Sequence, residues 1–210
     1  MNLSPTEIAQ LQAILPTLTP QEKAELLADL EERANRAVKK AAQNNMLGFA
    51  TEVYPGFKIG PHHKKLARVF EDVISGKKKR VIINIAPRMG KSEFSSYLFP
   101  AFFLGKYPEK KIIMGTHTAS LSEDFGRRVR NLIESEEYQS IFPGTRVADD
   151  QKAAGKWSTS AGGQYYAAGV GGAQLVHHVI RRHFHGRQKN GSADVQDIAD
   201  DVGRQRGLSH

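Results

Sequence analysis

Apolar residues fall into three regions of different texture along the chain. In residues 1–45 the period is helical. Leu26, Leu27, Leu30, Ala34, Ala37 and Val38 lie along one side of a helix running through AELLADLEERANRAVKKAAQ. Two start signals accompany this region. In Ser4-Pro5-Thr6-Glu7, Ser4 can cap, Pro5 suits the first helical position and Glu7 can close a capping box. Thr19-Pro20-Gln21-Glu22 repeats the arrangement. Residues 1–45 are therefore predicted to form a helical hairpin, an arm for structure or interaction rather than chemistry.

Residues 46–173 alternate between periods. Tyr54-Pro55-Gly56 marks a turn. Residues 61–75 read as a helix with Leu66, Val69, Phe70 and Val73 on one face. A basic turn, Gly76-Lys77-Lys78-Lys79-Arg80, leads into RVIINIA, a run short and β-branched enough for a buried strand. A helix at 91–104, a second apolar strand at 110–116 (KKIIMGT) and a helix at 119–135 follow. Strand, helix, strand, helix in this order predicts an α/β fold with a parallel sheet flanked by helices. Residues 157–160 and 164–168 then read as a hairpin around Gly162-Gly163, and Gly169-Val170-Gly171-Gly172 permits a turn or close backbone approach to a ligand. Residues 174–210 form a third region with no clear period.

Composition narrows the class. The 210 residues suit one domain with an appendage, and 40% hydrophobic with 25% charged residues excludes a wholly disordered chain. No run approaches the length of a membrane span, and MNLSPTEIAQ lacks the basic-then-apolar pattern of a signal peptide. There are no cysteines, which excludes disulfide scaffolds and Cys-ligated zinc and fits a cytosolic protein. The net charge of +8 is uneven: residues 1–45 carry −1, residues 46–173 carry +7 and residues 174–210 carry +2. A basic middle region suits a polyanionic partner, a nucleotide or a nucleic acid, and suits equally a solvated basic surface.

The motif that carries chemistry is Ile85-Ala86-Pro87-Arg88-Met89-Gly90-Lys91-Ser92. It stands between the first predicted strand and a helix, the context of a phosphate-binding loop. There, backbone N–H groups at a helix N-terminus wrap phosphates, Gly90 permits close approach, Lys91 reaches the β- and γ-phosphates and the Ser92 hydroxyl ligates Mg²⁺. Arg88 adds a cation at the same place. The first glycine of the full pattern G-x-x-x-x-G-K-[ST] is replaced by Ile85. A basic strand-to-helix turn without a ligand is the alternative.

Residues 61–172 resemble the ATPase part of the large terminase subunit of tailed double-stranded DNA bacteriophages. The likeness is carried by GPHHKKLARVFEDVISGKKKRVIINIAPRMGKSE, by LFPAFFLGKYPEKKIIMGTHTASLSEDFGRRVRNLIESEEYQSIFP and by GKWSTSAGGQYYAAGVGG, in that order. That family often lacks the first P-loop glycine and has Pro and Arg before Gly-Lys-Ser. The resemblance implies a P-loop NTPase-type fold and a viral genome-packaging motor, in which ATP hydrolysis drives double-stranded DNA into a capsid and a separate nuclease domain cuts it. It implies ATP and Mg²⁺ as cofactors, with Pro87, Arg88, Met89, Gly90, Lys91, Ser92 and Glu93 forming the nucleotide loop. Lys91 and Arg88 would act catalytically on phosphate charge, and Ser92 would hold Mg²⁺. His62 and His63 match the stretch where adenine contacts are expected. Thr116-His117-Thr118 matches a segment that couples nucleotide state to DNA, or is simply a helix cap supplied by Thr118. The implied partners are double-stranded DNA, a small terminase subunit and the capsid portal, with no membrane. The full-length protein would form a ring, and the setting would be the cytoplasm of a bacterial host, from a phage or prophage.

The resemblance ends near Ala173. An apolar strand ending in acidic residues should follow, to hold Mg²⁺ and polarise the attacking water. LVHHVI ends instead in Arg181-Arg182, Asp200-Asp201 has no apolar run before it, and no nuclease region is present. The expected domains are thus an N-terminal helical arm (1–45), a partial P-loop ATPase domain (46–173) and a divergent or out-of-frame tail (174–210). The break falls inside the ATPase core rather than at a linker, which points to a frameshift, with a divergent C-terminal half as the competing reading. His177, His178, His183 and His185 cluster in the tail but lack Cys or carboxylate partners, so a solvated basic tail outranks a metal site. A sheet lacking that acidic strand should expose an edge and an apolar face, and hydrolysis should be slow. Two other functions fit the same residues. One is a different helicase-like P-loop ATPase, which also needs downstream acidic and arginine motifs. The other is a non-catalytic basic fragment that binds nucleic acid in a salt-sensitive way without ATP.

Overall fold

A computed structural model describes residues 5–153 and 155–169. The chain begins with α1 (Pro5–Ile14), a short 3₁₀ turn and α2 (Pro20–Asn44). Thr19 caps α2 through a complete capping box. Its hydroxyl accepts from the Glu22 amide, and its own amide donates to the Glu22 carboxylate at 2.8 Å. Ser4 and the residues beyond 169 lie outside the described residues, so the Ser4 cap and the tail histidines do too. The apolar stripe of α2 is only partly covered. Leu26, Leu30 and Ala34 are half-buried, Leu27 and Val38 are exposed, and burial becomes complete only at Ala42. There α2 meets α3 (Met46–Val53), whose first turn is capped by the Asn45 side chain accepting from the Leu47 and Gly48 amides.

The core is built on aromatic residues from several helices. Phe49 of α3 sits within 5.3–5.9 Å, centroid to centroid, of Phe102, Phe142 and Tyr138. The Tyr138 hydroxyl donates to the Ala101 carbonyl at 3.0 Å, and burial pushes its phenol well above the usual range. Each fully buried side chain of this size contributes about 1.5–3 kcal/mol relative to exposure. α4 (Pro61–Ile74) follows the predicted helix, with Leu66 and Phe70 buried and Val69 and Val73 half-buried.

Residues 80–86 depart from expectation. They form no strand ladder, Ile82 is 89% exposed, and only Ile83 and Ile85 are half-buried. Their alternation of exposure keeps a period of two, but no described strand pairs with them. An apolar run is stabilised as a strand only when a neighbour takes up its backbone groups. The helix after the loop starts at residue 91, widens into a π-helical turn (Glu93–Leu98) and continues as α5 (Phe99–Lys106). The π turn lets the Phe99 amide reach the Phe94 carbonyl just before Pro100, whose ring would clash with a regular helical carbonyl.

The sheet is small and mixed, with strand order β1-β4-β3-β2. β1 (Lys111–Thr116) pairs in parallel with β4 (Gln164–Gly169), with Ile112 opposite Tyr165. β3 (Lys156–Thr159) is antiparallel to β4 and to β2 (Val147–Ala153). The parallel sheet read from the sequence is thus corrected to a mixed one, in which the predicted hairpin supplies an antiparallel pair. A tight connection such as Thr159 to Gln164, with Gly162 at φ +86°, can only join antiparallel strands, whereas β1 reaches β4 by a long crossover. β2 was not anticipated, since VADDQKA has no apolar alternation.

The predicted helix at 119–135 forms as α6 (Ala119–Ile133), and a further short helix follows it. Thr118 caps α6 (Ala119–Ile133), accepting from the Leu121 amide. Ser135 stops that helix and caps α7 (Glu136–Ile141). α6 packs on the sheet, chiefly on β4, with Ser122, Gly126, Val129 and Ile133 buried, and Trp157 of β3 donates its indole N–H to the Gly126 carbonyl at 3.0 Å. β1 is half-buried on the side of Ile112 and Met114 and open at Ile113. No described helix is long and apolar enough to cross a membrane.

Candidate phosphate-binding loop

The loop occupies residues 87–90, between the unpaired 80–86 segment and the helix that begins at Lys91. Two of its residues take left-handed backbone angles: Gly90 at φ +70° and, unusually, Arg88 at φ +64°. A left-handed conformation costs a non-glycine residue about 1–2 kcal/mol, so Arg88 is held there by its surroundings. Arg88, Lys91 and Ser92 are exposed, and Pro87 and Met89 are also on the surface. The Gly90 carbonyl accepts from the Phe94 amide at 2.9 Å, and the Lys91 carbonyl accepts from the Ser95 hydroxyl at 2.7 Å. The first bond ties the helix start to the loop, and the second lies within the first turn of the helix.

The loop lies on a histidine. His63 of α4 is buried, and its Nε2 would be 3.1 Å from a Cβ placed on Gly90. Its Nδ1 accepts from the Gly60 amide at 3.0 Å, so the neutral ring carries its proton on Nε2. Nε2 stands 3.1 Å from Nε2 of His62. Phe57 and Phe94 pack against the ring at 4.9 and 5.4 Å between centroids. Burial, and then the neighbouring His62, hold the His63 imidazole below the usual histidine range, against opposing contacts with the backbone of Lys58 and Met89. Of the two histidines matched to adenine contacts, His63 thus lies beneath the loop, and His62 is half-buried beside it.

Glu93 is engaged elsewhere. Both carboxylate oxygens accept from the Arg128 guanidinium of α6, one at 2.9 Å. The guanidinium also lies over the Tyr97 ring at 4.3 Å. The Glu93 bonds push the Arg128 guanidinium further up, and burial raises the Tyr97 phenol. This tether between the loop helix and α6 was not foreseen. Glu93 and Arg128 are 35 positions apart, and nothing local in the sequence marks them as a pair. Next to it lies an open groove of about 400 Å³ that includes Tyr97, Arg128, Val53 and Ser135 but no residue of the loop.

No protein family, curated protein or solved structure matches this chain. The chemistry of the loop is therefore read from its own groups. Two exposed cations and a hydroxyl stand at a helix N-terminus after a strained turn, residue types suited to phosphate oxygens and, through Ser92, to a hard divalent cation. Thr116-His117-Thr118 is not part of this cluster by hydrogen bonding. The Thr116 hydroxyl donates to the Thr118 carbonyl at 2.6 Å and Thr118 caps α6, so the segment serves as a strand-to-helix cap. Among the described residues no group of three or more His, Asp or Glu side chains is placed to hold a metal.

Proposed function

We propose that the chain binds MgATP through residues 87–92 and corresponds to the ATPase part of a phage terminase large subunit, the motor that packages double-stranded DNA in a bacterial host. The observation that carries the reading is the left-handed Arg88–Gly90 turn, which delivers Lys91 and Ser92, both exposed, to a helix start. The terminase part rests on the ordered likeness of residues 61–172. Lys91 and Arg88 would neutralise phosphate charge, backbone amides at the helix start would orient the β- and γ-oxygens, and Ser92 would hold Mg²⁺ by its hydroxyl. When bound, Mg²⁺ supplies charge neutralisation across the phosphates.

The reading stops at binding with slow turnover. Hydrolysis needs a free carboxylate to polarise water, and Glu93, the nearest in sequence to Ser92, is committed to Arg128. Steady-state ATPase of the purified chain should be near background. Robust turnover that disappears in Lys91→Ala would overturn the slow-turnover statement while keeping the site. The terminase assignment is tested separately by reading the encoding DNA through codon 173 in all three frames. A frame that resumes with an apolar strand ending in Asp, and later an acidic nuclease, supports it. A clean read with no such frame contradicts the frameshift and leaves only the loop. The remaining alternative, ATP-independent DNA binding, is favoured only by the +7 charge of residues 46–173.

A further inference from the structure

We infer that His63 is a positioning residue for the loop: its neutral ring, anchored to Gly60, holds the backbone of Met89 and Gly90 so that Lys91 and Ser92 face outward. The geometry stands alone; the consequence for ligand affinity rests on the nucleotide-binding reading above. Three observations converge. His63 is a polar side chain only 6% exposed, and both ring nitrogens are engaged: Nδ1 accepts from the Gly60 amide, and Nε2 faces His62 and the loop. Phe57 and Phe94, themselves stacked on each other, both pack against the ring and help to bury it. Gly90, at φ +70°, approaches Nε2 so closely that even a methyl group would be in tight contact. Phe94 links the two sides, since its ring packs on His63 while its amide is bonded to the Gly90 carbonyl.

The neutral ring is the favoured form, although the backbone of Lys58 and Met89 opposes this in part. Protonation would turn Nδ1 into a donor aimed at the Gly60 N–H donor and would place a charge beside His62. The groups facing the ring are His62 on its own helix, the backbone of Lys58, Met89 and Gly90, and the apolar rings of Phe57 and Phe94. Because the folded protein favours the neutral form, loop order is present above the ordinary histidine range and is lost as pH falls through the lowered folded value.

The test compares the wild type with His63→Asn, His63→Phe and His62→Asn. Asn offers an acceptor to the Gly60 amide and does not titrate, whereas Phe keeps an aromatic ring without polar atoms. Hydrogen exchange of the Phe94 amide, corrected for intrinsic rate, reads the loop without any ligand. At neutral pH His63→Phe should exchange about five- to tenfold faster than the wild type, the effect of losing about one hydrogen bond, with the α6 amides unchanged. The wild type and His62→Asn should lose Phe94 protection on acidification, and His63→Asn should not. MgATP affinity measured on the same proteins should follow the exchange. Wild-type exchange and wild-type pH dependence in His63→Asn would overturn the inference. If His63→Phe does not fold, the pH series of the wild type and His63→Asn decides. A wild type that binds no MgATP, yet whose Phe94 exchange follows His63, supports the inference and defeats the nucleotide reading.

Discussion

Gly90 meets two demands at one position. Its φ of +70° and its close approach to His63 both disfavour a side chain. Gly90→Ala should cost about 1–2 kcal/mol in the loop and weaken MgATP about tenfold, with little change in the thermal midpoint of the core. Calorimetric binding with a parallel melt checks this, and an unchanged affinity would show that the loop tolerates a Cβ. Trp157 is the corresponding residue in the sheet. It is fully buried, stacked on Tyr165 with ring centroids 5.1 Å apart, and bonded to Gly126. Trp157→Ala should destabilise the protein by about 3–5 kcal/mol in denaturant titrations followed by circular dichroism. The glycine, lysine and serine of the loop were legible in the sequence because their chemistry is local. The burial of His63 was not, since a pair of histidines at a helix start looks the same whether it faces water or a core.

At the level of elements, what the sequence disclosed follows one rule. The Thr19 capping box, the helix at 61–74 and the hairpin around Gly162 were all legible, because each is decided by residues a few positions apart. The 80–86 segment and β2 were not, because pairing depends on strands far along the chain. The capping box also sets a pH dependence. The Thr19 amide and hydroxyl hold the Glu22 carboxyl below the usual range, so its contribution is present above the ordinary glutamate value and is lost as pH falls through the lowered folded one. Amide exchange in the first turn of α2 should rise there in the wild type and be insensitive to pH in Glu22→Gln. The Glu93–Arg128 tether is partly exposed, with side chains 35% and 42% accessible, so Arg128→Met should cost only about 1 kcal/mol or less, and less still at high salt.

Over the whole molecule, the described residues leave one side of the sheet open. β1 is an edge strand with Ile113 exposed, and Val81, Ile82 and Met89 are exposed in the preceding segment and loop. Edge strands with apolar neighbours template association. The protein should therefore self-associate as concentration rises, and Ile82→Lys with Ile113→Lys should shift light scattering toward monomer without lowering the melting midpoint. Association that is unchanged in the double variant would place the contact elsewhere, for example along the exposed Leu27 and Val38 of α2.

The central claim is that residues 87–92 hold the phosphates of MgATP. Its most direct test is isothermal calorimetry of MgATP against the wild-type chain and Lys91→Ala, with circular dichroism to show that both are folded. The account predicts saturable binding by the wild type that needs Mg²⁺ and weakens at least about a hundredfold in Lys91→Ala, as expected when a charge-assisted phosphate contact is removed. Equal binding by the two folded proteins, or none by the wild type, would contradict it.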